Sequence, residues 1–293
     1  MRLAVTHTTA YTFSGPVSHG LQRLRLKPKD THGQIIREWD MTIEGARVEV
    51  EYEDHHHNFT TLVSLLPGVG QTSVTCKGLV DTADTNGIIG HHTGHMPLWS
   101  FLRATPLTRA GLRVRALVAS VDEDREDPLK FLHALSQTVQ EAIEYKAGAT
   151  DVNTSAEQAL MAGQGVCQDH AQIFISAGRL IGVPMRYVGG YLLMDDREEQ
   201  DAGHGWAEAH LEGLGWVGFD VSNGISPDER YVRVATGCDY REAAPVTGIA
   251  ANAGEIGLAV NVTVREDAPG SGGNQALQQQ QQQQQSQGET GQT

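Results

Sequence analysis

Cys167 stands between a glycine-rich turn and a helical pattern in GQGVCQDHAQIFISAGRL, residues 163–180. A thiol becomes a nucleophile by losing its proton. A helix N-terminus eases that loss, because its free N–H groups and dipole favour negative charge. Gly163 and Gly165 would let the backbone approach a substrate carbonyl, and the Cys167 N–H is placed to bind a developing oxyanion. Taken alone, the stretch reads more simply as holding a small buried hydrophobe, as most free cysteines are. A thiolate also needs a base, and the base an orienting partner. HGWAEAHLEGLGWVGFD, residues 204–220, supplies both types: His204 opens one strand and Asp220 closes its neighbour.

Other residues compete for these roles. Asp169 lies two positions along the helix from Cys167 and points away from it, as a structural hydrogen-bonder would. His170, three along, can lie beside Cys167, so spacing does not exclude it as a base. His210 shares a strand face with His204 but sits about 20 Å nearer the turn. Trp206 and Trp216 read as core or cleft wall. Glu208 reads as a supporting acid or a solvated strand residue. A tight hairpin turning at 213–214 would set Asp220 opposite Ala207 and on the other face from His204. A bulge or a wider loop is therefore expected there, with a His204–Asp220 hydrogen bond.

The elements that carry these residues change character along the chain. Residues 1–110 read as all-β. In LAVTHTTAYTF one face carries Leu3, Val5, His7, Thr9 and Tyr11, and strands are expected at 46–53 and 59–66, joined at 54–58. From about residue 120 helices appear. Asp127 is an N-cap with Pro128 at the first helical position. Leu132, Leu135, Val139 and Ile143 form a buried stripe, and Gly148 is the expected stop. Thr154 and Glu157 suggest a capping box for the next helix, which Gly163 ends. A helix from Cys167 would bury Ile173, Phe174 and Ala177 and stop before 182–184. Strands MRYVGGYLLM, HGWAEAHL and WVGFDV follow, then a last one at 258–264. The fold class is α+β, with an N-terminal all-β domain at 1–110 and a core of helices on an antiparallel sheet at 120–265. Residues 266–293, with glutamine at every position from 278 to 285, are expected to be a disordered tail.

Composition narrows the function. The 293 residues are 39% hydrophobic and 20% charged, as in soluble globular proteins. A net charge of −14 disfavours nucleic acid and anionic membrane surfaces as partners. No apolar run has the length of a membrane span, and the start reads as a strand rather than a signal peptide. Cys76, Cys167 and Cys238 are odd in number and far apart, which fits a reducing cytoplasm.

GVCQDHA, GVPMRYVGGYL and HGWAEAHLEGLGWVGFDVSNG together resemble the transglutaminase-like core, a papain-like cysteine fold. The N-terminal strands resemble the β domain that precedes this core in bacterial transglutaminase-like proteins, and YVRVATGCDYREAAPVTG resembles the segment that follows it. The likeness covers about residues 1–265. It implies that Cys167, His204 and Asp220 form a Cys-His-Asp triad and that no cofactor is needed. It also implies acyl transfer on a peptide or protein substrate, with hydrolysis of a peptide or isopeptide bond as the leading reaction. Amine transfer to glutamine and a non-catalytic peptide-binding protein are the alternatives. Gln164 and Tyr145 are candidate oxyanion donors; Asp169, His170, Trp206 and Glu208 are candidate supporting residues.

The sequence departs from that pattern in places. Val-Ser follows Asp220 where the family usually has Pro-Thr, Cys238 stands where a GRDY stretch has arginine, and His55, His56 and His57 fill the 54–58 turn. These histidines and His91, His92 and His95 read as exposed turn residues rather than metal ligands, because GHHTGHMP should not hold a helix. The acidic stretch 195–201 reads as a solvated loop or as a subsite for a cationic group.

Overall fold

The structure, a computed structural model, describes residues 1–267, so the expected glutamine-rich tail lies outside the described residues apart from its first two positions. Six strands open the chain: β1 (Arg2–Phe13), β2 (His19–Lys27), β3 (Gln34–Glu44), β4 (Ala46–Glu53), β5 (Phe59–Leu65) and β6 (Gln71–Thr82). β1 buries Leu3, Val5, His7 and Thr9 on one face, so the imperfect alternation is a true strand face with two polar members. β7 (Ile88–Gly90) is followed by a 3-10 turn and then by α1 (Leu112–Ser120), α2 (Pro128–Ala142), β8 (Glu144–Tyr145), α3 (Ala156–Ala162), β9 (Gln164–Gly165) and α4 (Cys167–Leu180). The remaining elements are β10 (Met185–Leu192), β11 (Glu199–Gln200), β12 (His204–Leu211), β13 (Gly215–Phe219), β14 (Tyr231–Gly237), α5 (Tyr240–Ala243), β15 (Val246–Ala251) and β16 (Ile256–Glu266).

Two sheets face each other in the β region, ordered β11-β16-β1-β6-β3 and β15-β2-β5-β4. The second half of the chain builds a sheet ordered β14-β10-β12-β13-β7 with the helices packed on it. The last two strands depart from the sequence-based division. Residues 246–266, expected within the core, pair into the N-terminal sheets: β16 runs antiparallel to β1 from Ile256 to Glu266, and β15 pairs with β2. The returning chain thus extends both sheets: β16 covers β1 and is itself met by the short β11, and β15 becomes the edge beside β2. Leu3, Val5, Val262 and Val264 of the β region share one core with Leu132, Leu135, Ile173 and Phe174 of the helices. Each such fully buried side chain contributes roughly 1.5–3 kcal/mol.

Helix boundaries follow local chemistry with three surprises. Asp127 caps α2 by accepting from the Lys130 N–H, with Pro128 in the first turn, but the helix ends at Ala142, well before Gly148. The capping box of α3 is Ser155 with Gln158, not Thr154 with Glu157. Glu157 instead accepts the Gly111 and Val114 N–H groups at 2.7 and 2.9 Å, capping α1, a helix the local pattern did not suggest. Gly163, in the left-handed region at φ 66°, ends α3 and delivers the chain to α4. None of the helices among the described residues is long and apolar enough to cross a membrane.

Candidate active site

Cys167 is the first residue of α4, after Val166 at the N-cap. The opening N–H groups of a helix have no partner inside it, so the Cys167 amide and sulfur share the positive end of the helix. Asp169 holds this corner. Its carboxylate accepts the Val166 N–H at 2.8 Å and the Thr150 hydroxyl at 2.6 Å. Burial pushes the Asp169 pKa up, against those bonds. The space beside Gly165, expected to be left for substrate, is filled by Asp169 itself, whose Cβ lies 2.7 Å from where a Gly165 Cβ would be. Cys167 is only partly buried, whereas Cys76 and Cys238 are buried; all three are free thiols.

His204 arrives on β12 and Asp220 just beyond β13. The register pairs Leu211 with Gly215 and Ala207 with Phe219, so residues 212–214 form a three-residue loop rather than a tight turn. Gly213 and Gly215 adopt φ values of 81° and 79°, which a side chain would resist. One step further along the register, Asp220 falls opposite Trp206, on the face that carries His204. His204 Nε2 then meets Asp220 Oδ2 at 2.5 Å. The other ring nitrogen, Nδ1, has no hydrogen bond to another group among the described residues, and Cys167 lies near enough to the ring to raise its pKa.

The electrostatics follow from the partners. Burial pushes the His204 pKa down, but the bond to Asp220 and the charges of Asp220 and Cys167 overcome it and raise it to about 10. Burial likewise works against the Asp220 carboxylate, and bonds from His204, Tyr231 and Asn223 hold its pKa at about 2. Asp220 is fully enclosed and accepts from the Tyr231 hydroxyl and the Asn223 amide, each at 2.7 Å, and from the Ser222 hydroxyl at 2.8 Å. Trp206 stacks on His204 with ring centres 6.1 Å apart and shields this pair. Gly205 is required where it stands, since a Cβ there would lie 2.0 Å from the Tyr187 hydroxyl oxygen.

The remaining sequence candidates separate. His170 is buried with Nδ1 2.9 Å from the Val166 carbonyl, so it packs the helix corner. His210 lies at the far end of β12, opposite Trp216. Glu208 is wholly buried and paired with Arg186 at 2.5 Å and Arg233 at 2.8 Å, so it is not solvated, and it is not part of the cavity wall that holds Cys167. Tyr145 lines the cavity with Cys167, and its pKa is raised by burial and by Cys167. Gln164 lies outside that wall, its amide 3.4 Å from Glu144. His56 contradicts the expectation of exposed turn histidines: its side chain is 1% exposed and its Nε2 lies 2.7 Å from Glu242.

A cavity of about 1080 Å³ joins these parts. Cys167, His204, Tyr145 and Tyr187 line it from the core, and His7, Tyr11 and Arg25 from the β region. Residues 195–197 and Asp201 form part of its rim, but Asp196 pairs with Arg197 and Asp195 with Arg230, so the acidic stretch is partly neutralised. Sequence reasoning missed Ser222, Asn223 and Tyr231, the donors around Asp220. Asn223 carried a faint signal, sitting in VSNG directly after the aspartate; Tyr231 carried none, since it comes from β14, three places from β13 in the sheet.

Comparison with known proteins agrees with this architecture. Residues 115–221 match the transglutaminase-like superfamily, and residues 3–81 match the bacterial transglutaminase-like N-terminal region. The two matches set a bacterial transglutaminase-like N-terminal region ahead of a transglutaminase-like core, in the order the sequence motifs suggested. It is 27% identical over 282 residues to an uncharacterized protein of Mycobacterium leprae (strain TN), covering 90% of this chain and 98% of the relative. An uncharacterized protein of Mycobacterium tuberculosis (strain ATCC 25618 / H37Rv) is 26% identical over 275 residues, covering 85% and 87%. Among solved structures, a Cytophaga hutchinsonii protein provisionally described as a cysteine protease superposes with a TM-score of 0.74 at 19% identity, over 92% of this chain and 91% of that one. That likeness is one of fold.

Proposed function

We propose that the protein is a thiol-dependent hydrolase that cleaves a peptide or isopeptide bond through Cys167, His204 and Asp220. The observation that carries this reading is that one cavity holds Cys167 at the α4 N-terminus and His204, whose ring meets Asp220 at 2.5 Å. In the first step of this mechanism His204 holds the proton, and the Cys167 sulfur on the cavity wall acts as the thiolate. The thiolate attacks the substrate carbonyl carbon, and the electron pair moves onto oxygen. The Cys167 N–H and one further donor, with Tyr145 the candidate on the cavity wall, receive that oxyanion. As the carbon–nitrogen bond breaks, His204 Nδ1 passes its proton to the leaving amine, giving a thioester and a free amine. Water then attacks the thioester while His204 takes its proton, and the acid leaves as the thiolate re-forms. Asp220 keeps the ring oriented and supports its charge throughout. Free thiols in all three cysteines suit a reducing compartment such as the cytoplasm.

The test is a product analysis on a model glutamine peptide and a lysine isopeptide, with and without an added primary amine. Hydrolysis gives a free acid product whose yield the amine does not change, and Cys167→Ala abolishes it. Incorporation of the amine in place of the acid would reassign the protein to amine transfer. No Cys167-dependent product from either substrate would count against catalysis altogether.

A further inference from the structure

The turn between β4 and β5 brings three histidines into a sequence that otherwise reads as an ordinary hairpin, EDHHHNF, residues 53–59. Two of them meet a carboxylate from the other half of the chain. Ligand atoms of His55, His56 and Glu242 all lie within 4.8 Å of one another. Glu242 belongs to α5, so the cluster joins the β region to the core across 186 positions of sequence.

Three observations make this a built site rather than a chance meeting. The turn is rigid: Asp54 accepts the His56 and Asn58 N–H groups at 2.9 and 3.0 Å and pairs with Arg25 at 2.9 Å. The carboxylate is fixed, because Glu242 Oε2 accepts the Cys238 N–H at 2.8 Å and meets His56 Nε2 at 2.7 Å. The third concerns His56 itself. A carboxylate oxygen accepts, so Nε2 carries the hydrogen it shares with Glu242 at 2.7 Å. Nδ1 then presents a bare lone pair, and it is buried with no hydrogen-bond partner. A buried acceptor without a donor is costly, and a metal cation is a group that would take it.

We propose that His55, His56 and Glu242 form a binding site for a borderline divalent cation such as zinc. The two imidazoles supply nitrogen, and Glu242 supplies the negative charge and orients the His56 ring. Nitrogen donors favour zinc-like ions over magnesium or calcium, which prefer all-oxygen sites. A carboxylate on the outer nitrogen of a ligating histidine is the usual way such rings are fixed. His57 is not part of the site, since its Nδ1 lies 3.1 Å from Glu53 and its Nε2 accepts the His95 N–H at 3.3 Å. The site is separate from the catalytic cavity but mechanically linked to it: Tyr240 and Ala243, on the same short helix as Glu242, line that cavity. Its role is to pin α5 to the β region.

The test is metal titration of the full chain carrying Cys167→Ser, which removes the reactive thiol as a competing ligand. After chelation and dialysis, Co²⁺ is followed by its visible absorption and Zn²⁺ by competition with a chromophoric chelator. One ion per chain is expected, with affinity reduced about 10- to 100-fold in Glu242→Gln and lost in His56→Ala. Zinc should also raise Tm in the parent and not in His56→Ala. A parent chain that binds neither ion below millimolar concentration overturns the proposal, whatever the variants do. So does unchanged stoichiometry and affinity in both Glu242→Gln and His56→Ala. Should His56→Ala fail to fold, the parent and Glu242→Gln decide it.

Discussion

His7 in the β region and His204 in the core are both buried and both border one cavity, yet they are driven in opposite directions. His7 meets only hydroxyls, the Tyr191 oxygen at Nδ1 and the Thr9 oxygen at Nε2, each at 2.8 Å. Nothing there offsets desolvation, and its pKa falls to about 4. His204 meets a carboxylate and stands near a thiol, and its pKa rises to about 10 despite its burial. Burial therefore does not decide the charge of a histidine here; the partner does. One ring is a neutral strut between the two halves of the molecule, and the other is a cation held ready beside a thiol.

The strongest way to break that contrast is to make His204 resemble His7. Asp220→Asn keeps the shape and removes the charge. It should lower kcat/KM by about 10³- to 10⁴-fold and move the alkaline limb of the pH–rate profile down from near pH 10. The same bond has a stability sign. Because the folded-state pKa of His204 is raised, its contribution is complete below the ordinary histidine value of 6.5 and is lost as pH rises through about 10. Urea titrations between pH 6 and 11 should show that loss in the parent and not in Asp220→Asn.

Glu208 extends the rule to a carboxylate. Burial pushes its pKa up, yet Arg186 and Arg233 pull it to about 2, and it carries its charge with no solvent contact. Glu208→Gln strands two arginines and should cost about 3 kcal/mol in denaturant unfolding. His7 supplies a third measurement at comparable scale. Its folded pKa is depressed, so its contribution is complete above 6.5 and is lost as pH falls towards about 4. On the order of 3 kcal/mol should disappear over that window, and the dependence should flatten in His7→Gln. The smallest effect belongs to Tyr191→Phe, which removes one hydroxyl from the His7 ring and should cost about 1–2 kcal/mol in the same assay.

The elements and the site were unequally legible in the sequence. β4, β12 and α4 could be read because alternation, glycine placement and helix caps are local signals. The wider loop at 212–214 was recoverable too, since a tight hairpin would have set His204 and Asp220 on opposite faces. What failed was non-local. α1 is capped by Glu157 from 43 or more positions away, so its own stretch shows no start signal. β15 and β16 pair with the β region although they follow the core, and nothing in their alternation names their neighbours. Glu208 read as a supporting acid or a solvated one because Arg186 and Arg233 reach it only once β12, β10 and β14 pair. His56 looked exposed because a turn usually is, and Glu242 of a distant helix and the Phe101 ring cover it.

The account's central claim is that Cys167 is an ionised nucleophile sustained by His204. Residue-resolved iodoacetamide alkylation, followed by mass spectrometry from pH 5 to 9, tests it directly. Burial lifts the Cys76 and Cys238 thiols to about 12, so they should label slowly throughout. Cys167 should be modified first, at neutral pH and in step with loss of turnover, and more slowly in Asp220→Asn. Equal slow labelling of all three cysteines, or a Cys167 rate untouched by Asp220→Asn, would contradict it.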